Sequence, residues 1–291
     1  MSRYERLLDH RFERVDHRYD TRETILYALG IGAGTGDLDL INEPGLKAVP
    51  SLATVLAHSG HWSAAPEVPL DDSQALHVSE RIELCRDIPV AGHVTALPRI
   101  TAIQDRGDGR GAMVHLERSI CDVETGAALA KITQRVLFRA DGGIGGPRRS
   151  VPRSAPLPDR PADRVVAVPT SPRAAALYRL MGDDNPLHID PDSARRSGFE
   201  RPILHGLCSY GHICRALMRE AGGRRLRLMD ARFTAPVYPG ETLTLEIWHD
   251  TDGARFRVQV AGRVVMNEGE LGYFPDAQRS PSSGVSEAVA T

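Results

Sequence analysis

The chain has 291 residues, 41% hydrophobic and 25% charged, with a formal net charge of −2. That balance suits a globular protein with a sizeable core and offers no basic field to recruit nucleic acid. No apolar run is long enough for a bilayer span, and the charged start MSRYERLLDH stands where a secretory leader would be apolar, so a cytoplasmic protein without a membrane partner is expected. In chain order, TRETILYAL reads as a helix and leads into GIGAGTG at 30–36. No window there satisfies G-x-G-x-x-G, because the sixth positions are Thr35 and Asp37, and a helix rather than a strand precedes it, so dinucleotide binding is not expected. SLATVLAH (51–58) reads as a helix, and LHVSERIEL, AMVHLERSI and ALAKITQRVLF follow as strands.

Residues 141–163 are dense in Gly, Pro and Arg and read as a linker between halves of ordinary domain size. In the second half, 206–220 places Leu207, Tyr210, Gly211, Cys214, Leu217 and Met218 at helical spacing until Gly222-Gly223 stops the pattern. ETLTLEIW (241–248) and ARFRVQV (254–260) alternate as strands across the turn HDTDG. The end, 275–291, has the composition of a disordered tail. A helix with several antiparallel strands, occurring twice, is an α+β layout with internal duplication, although RDIPVAG against APVYPGE is the most that aligns between the halves. The expected units are therefore 1–140, the linker 141–163, 164–274 and the tail 275–291.

The chemistry concentrates in 178–206, YRLMGDDNPLHIDPDSARRSGFERPILHG. On a continuous helix Asp183 and His188 would face nearly opposite ways. Pro186 disfavours helix at Asn185 and forces a turn that can bring carboxylate and imidazole to one point. His205-Gly206 then opens a helix whose first N–H groups are unpaired, and Gly206 leaves a substrate oxygen room to approach. A base, a second proton-transfer group and an oxyanion donor are what proton transfer next to a carbonyl requires. Other readings are weaker. The spacing of His188, Asp190, His205 and His212 matches no standard metal site, and Cys85, Cys121, Cys208 and Cys214 contain no CxxC, so no metal is expected. Ser209 lacks the glycine of a nucleophile elbow, and the lysines, Lys47 and Lys131, both precede the second half, which leaves no Schiff-base residue there.

This segment resembles the hydratase motif of the MaoC-like proteins, particularly the type-2 (R)-specific 2-enoyl-CoA hydratases. TILYALGIGAG with AVPSLATVLAHSG is similar in order to their first domain, and RFTAPVYPGETLTLEIW to the strands after their helix. Met181 departs from the small hydroxyl residue that many members carry before the glycine. The resemblance implies a double hot dog fold, each half an antiparallel sheet wrapped around a long helix, with a degenerate first half that shapes an acyl-chain tunnel. It implies that Asp183 and His188 activate a water, that Asn185 positions the water or the dyad, and that the Gly206 N–H binds a thioester oxygen. The reaction implied is hydration of trans-2-enoyl-CoA to (3R)-3-hydroxyacyl-CoA and its reverse, with coenzyme A entering as the substrate's carrier and no other cofactor. Dehydration of a carrier-protein thioester and non-catalytic acyl-thioester binding are the alternatives, and a homodimer of the whole chain is left open. Arg195, Arg196 and Arg201 lie near the motif but are not assigned to coenzyme A.

Overall fold

The computed structural model describes residues 2–146 and 156–275; the middle of the expected linker and the tail from 276 onward lie outside the described residues. The first half contains α1 (Arg3–Leu8), β1 (Val15–Tyr19), α2 (Thr21–Gly30), α3 (Leu38–Ile41), β2 (Ala75–Leu84), β3 (Gly92–Ala96), β4 (Arg99–Asp105), β5 (Ala112–Asp122) and β6 (Ala128–Phe138). The second contains β7 (Arg164–Pro169), α4 (Ala174–Tyr178), α5 (Pro191–Arg196), α6 (Gly206–Glu220), β8 (Leu226–Phe233), β9 (Thr242–His249), β10 (Gly253–Val260) and β11 (Arg263–Tyr273). Alternation sets the strands. In β10, Phe256, Val258 and Val260 are buried while Arg255, Arg257 and Gln259 point outward.

The strands form one antiparallel sheet in the order β1-β3-β5-β6-β2-β8-β11-β10-β9-β7, with β4 pairing β5 beside the path. The order is a palindrome about its centre, where β2 meets β8 with Arg81 opposite Asp230. The two segments that align weakly in sequence hold matching places: 86–92 runs from the end of β2 into β3, and 235–241 connects β8 to β9. The halves therefore repeat one plan and share one core, the double hot dog arrangement.

The shared core is organised by α6. Leu207, Tyr210, Gly211, Cys214 and Leu217 are buried, as the spacing predicts, whereas Met218 is only partly buried. The helix passes so close to α2 that a Cβ on Gly211 would lie 2.5 Å from Ile31 Cγ2, and this approach is what requires glycine there. The helix expected over 51–58 is instead a short 3₁₀ turn, Pro50–Thr54. Its continuation is blocked by local chemistry. The fully buried Arg118 guanidinium donates to the carbonyls of Ala53 and Thr54, which a further helical turn would need. The Thr54 hydroxyl also takes the Ser51 carbonyl, and Ala57 is forced to φ +47°. The first half thus holds a turn where the second holds a helix of 15 residues.

Candidate active site

After α4, a single 3₁₀ turn (Arg179–Met181) ends at Gly182, whose φ of +101° is a left-handed conformation that glycine adopts without strain. That reversal delivers Asp183 to the cavity wall. Asn185 is extended (φ −51°, ψ 120°), as a residue before proline should be, and Pro186 opens a second 3₁₀ turn that ends at His188. The Asn185 Oδ1 accepts from Leu187 N at 3.0 Å, so this side chain caps the turn that carries His188. Asn185 N in turn donates to Asp183 Oδ1 at 3.4 Å. The proline turn brings the acid and the imidazole together.

His205, at the N-cap of α6, joins them. One donor atom each from Asp183, His188 and His205 lie within 4.8 Å of one another. The imidazoles of His188 and His205 are stacked, with centroids 3.8 Å apart. His188 Nδ1 lies 2.9 Å from the Ile203 carbonyl, which can only accept, so Nδ1 carries the proton and Nε2 is left as a base. By the same reasoning His205 Nε2 donates to the Asp183 carbonyl at 3.2 Å, and its Nδ1 is a buried acceptor with no partner among the described residues. The sequence motif gives His205 no role; its stacking on His188 comes from the fold of the 183–205 loop, which spacing does not disclose.

The electrostatics divide the roles. Burial pushes the Asp183 carboxyl up, but the facing His205 and His188 imidazoles and the Asn185 N–H outweigh it and leave the group below its usual range. Burial depresses His188 against the opposing pull of Asp183. Burial, with His188 alongside, takes His205 down to about 4. At neutral pH the site therefore holds a carboxylate facing two neutral imidazoles. The same three groups are the ones that could approach a divalent ion, although donors on one ion lie within about 4.2 Å of each other and 4.8 Å is a looser bound. The hydrogen bonds that fix both tautomers suit proton transfer.

Gly206 is the first residue of α6, so its N–H has no intrahelical acceptor and points from the positive end of the helix dipole. A Cβ there would meet only the Phe233 ring, at 3.6 Å, an ordinary contact, so packing does not dictate the glycine. Asp183, Asn185, His188 and Gly206 line one cavity of about 650 Å³ that both halves build. The second half supplies Asp183, Asn185, His188, Gly206 and apolar wall from Leu207, Phe233 and Met266; the first supplies His58, His61, Trp62, Leu76, His77 and Val136. His61 Nε2 reaches Asp184 at 3.4 Å across the halves. His77 Nε2 faces Glu80 Oε2 and the Ser79 carbonyl, both at 3.0 Å. None of these first-half residues is marked in the sequence, since a lone histidine or tryptophan more often serves a core. Arg195 and Arg196 pair with Asp192 and Asp190, and Arg201 lies over the Tyr238 ring, so all three have partners within the protein.

Known proteins resemble the chain along most of its length. A family model described as MaoC like domain matches residues 153–269, and one described as MFE-2 hydratase 2 N-terminal domain matches 17–140. A Mycobacterium tuberculosis protein named 3-hydroxyacyl-thioester dehydratase Y is 41% identical, over 87% of this chain and 92% of its own length. Enoyl-CoA hydratase ChsH3 of the same organism is 35% identical over 81% of this chain and 85% of its own. The crystal structure of a MaoC-like dehydratase from Phytophthora capsici superposes with a TM-score of 0.83 at 30% identity, covering 94% of this chain and 99% of that one.

Proposed function

The chain belongs to the MaoC-like family of double hot dog hydratases and dehydratases, and from that premise we propose that it hydrates trans-2-enoyl-CoA to (3R)-3-hydroxyacyl-CoA, and runs the reverse dehydration, at the site built on Asp183 and His188. The observation that carries the proposal is the convergence of a carboxylate, a correctly tautomerised imidazole and a helix N-terminus on one two-sided cavity. His188 Nε2 takes a proton from water while Asp183 orients that water. The water oxygen bonds to C3, the C2–C3 π electrons move toward the thioester, and charge builds on its oxygen. The Gly206 N–H faces that charge, an interaction worth about 3–4 kcal/mol for a well-placed donor. One of the two acid–base groups then delivers a proton to C2, so that water has added in full. Asn185 is a positioning residue, because its side chain acts through the turn that holds His188.

The first half's wall, with Trp62, Leu76 and Val136, receives the acyl chain in this reading. No helix among the described residues is long and apolar enough to cross a membrane. Four free thiols, two of them buried, suit a reducing compartment, and a cytoplasmic enzyme, with a homodimer as its assembly, belongs to the same proposal. The test is a spectrophotometric assay on crotonyl-CoA and longer trans-2-enoyl-CoAs with chiral analysis of the product. Loss of the enoyl absorbance with (R)-product is expected. An (S)-product, or no turnover at any chain length, would overturn the proposal.

A further inference from the structure

The palindromic sheet makes a geometric demand that the catalytic cavity alone does not meet. A two-fold axis at the β2–β8 seam exchanges those strands and carries Leu84, at the end of β2, onto Phe233, at the end of β8. In element order Pro50, which opens the 3₁₀ turn ahead of β2, corresponds to Gly206, which opens α6 ahead of β8. The catalytic cavity lies where the start of α6, the segment after β8 and the start of β2 meet. Its two-fold mate must lie where Pro50, the segment after β2 and the start of β8 meet. A cavity of about 690 Å³ occupies that place.

This second cavity has lost the chemistry. Val49 and Pro50 stand where His205 and Gly206 stand, so it has neither the imidazole nor the N–H, because proline has no amide hydrogen. Its shape and charge remain those of a ligand site. Leu84, Ile88 and Leu226 form a buried apolar floor. The rim carries Lys47, Arg219, Arg224 and Arg225 against two carboxylates, Asp39 and Asp87. Arg219 and Arg225 are held by those acids. Lys47 Nζ also pairs with Asp39, at 3.4 Å, on a side chain that is 66% exposed, and Arg224 lies over the Tyr273 ring with its Nε buried and without a hydrogen-bond partner among the described residues. An apolar floor under a cationic rim fits an acyl group joined to a phosphate-bearing carrier.

We infer that the second cavity binds an acyl-CoA thioester without converting it, the ligand class following from its symmetry relation to the site described under the proposed function. The test is calorimetric titration of the full chain with hexanoyl-CoA, a saturated thioester that cannot be hydrated, alongside the hydration assay. The wild type should bind two equivalents. Lys47→Glu combined with Arg224→Glu should weaken one of them by about tenfold or more, leaving the other and the hydration rate unchanged. Met218→Trp, which fills the cavity without altering its charge, should remove the same equivalent and covers the case in which the charge reversals unfold the protein. An active wild type that binds one equivalent, or two that neither variant touches, overturns the second site and spares the hydratase reading. A wild type that neither binds nor hydrates overturns both.

Discussion

Gly206 and Pro50 occupy corresponding places in the two halves, each the first residue of the helical element that enters the core. From Gly206, which lines the cavity, a helix of 15 residues follows, and its first N–H has no intrahelical acceptor. From Pro50 five residues of 3₁₀ turn follow, no N–H exists, and Arg118 consumes the carbonyls needed to go further. One plan has thus given two cavities whose helical entrances differ in a few backbone groups. The comparison teaches that the oxyanion donor of the proposed mechanism depends on one backbone position, which a single residue type can abolish.

The largest expected effect comes from removing what the first half never had. Asp183→Asn and His188→Asn should each lower hydration by about 10²–10⁴, the usual worth of general acid–base transfer, with circular dichroism unchanged. Activity retained in either variant would mean that the dyad, the chemistry by which the halves differ, does not carry the reaction. The next effect imports the silent half's residue. In Gly206→Pro the new ring sits where proline is tolerated in a helix, and His205 is already extended at φ −54°, ψ 135°, as a residue before proline should be. The variant should therefore fold and lose about 10²–10³ in kcat, the cost of one oxyanion donor. A folded Gly206→Pro enzyme with normal kcat would remove the N–H from the mechanism.

Acid should act on both halves, and more gradually. Burial first of all depresses His58 to about 3, His115 to about 4, and on α6 or its cap His205 and His212 to about 4, all from an ordinary value of 6.5. The unfolded chain takes up these protons as pH falls through 6.5, while the folded chain refuses them until about 4. Between those values the unfolded state binds more protons, so stability falls as pH falls, by at most about 1.4 kcal/mol per pH unit for each proton. Urea midpoints should drop steadily from pH 7 to pH 4.5, and His212→Phe should shallow that slope. A flat profile would mean that these imidazoles are not buried neutral.

How far the sequence discloses this molecule depends on whether a feature is local. The turn at Asn185-Pro186, the start of α6 and the alternating strands are each set by neighbours in the chain, and the structure has them where residue type predicts. The composition of SLATVLAH predicts a helix where the structure has the 3₁₀ turn Pro50–Thr54. What stops it is Arg118, 64 positions from the carbonyl of Thr54 it caps, and no local pattern reports that. His205 belongs to the same class, since its stacking on His188 needs the loop to close. So do His58, His61 and Trp62, which reach the cavity only because the halves face each other. β1, β3, β4 and β7 are short strands or edges with weak alternation, and the sequence does not mark them; nor does it mark β8 or β11, the latter broken by a register shift between Asn267 and Glu270 with Glu268 at φ +54°.

The smallest predicted effect tests whether α6 truly serves both halves. It crosses the first half's α2 at Gly211, where a Cβ would lie 2.5 Å from Ile31 Cγ2 and 3.0 Å from the Tyr27 hydroxyl oxygen. Tyr27 is fixed by its hydrogen bond to the Ser51 hydroxyl at 2.8 Å, so α2 has little freedom to retreat. Gly211→Ala gains helix propensity of up to about 1 kcal/mol but overpacks this contact, which costs about 1–3 kcal/mol. A net loss of about 1 kcal/mol in urea unfolding is expected, with one transition, because the halves share the core that the helix joins. If the two halves were instead independent units side by side, the substitution would split unfolding into two steps, or raise stability by the propensity gain alone.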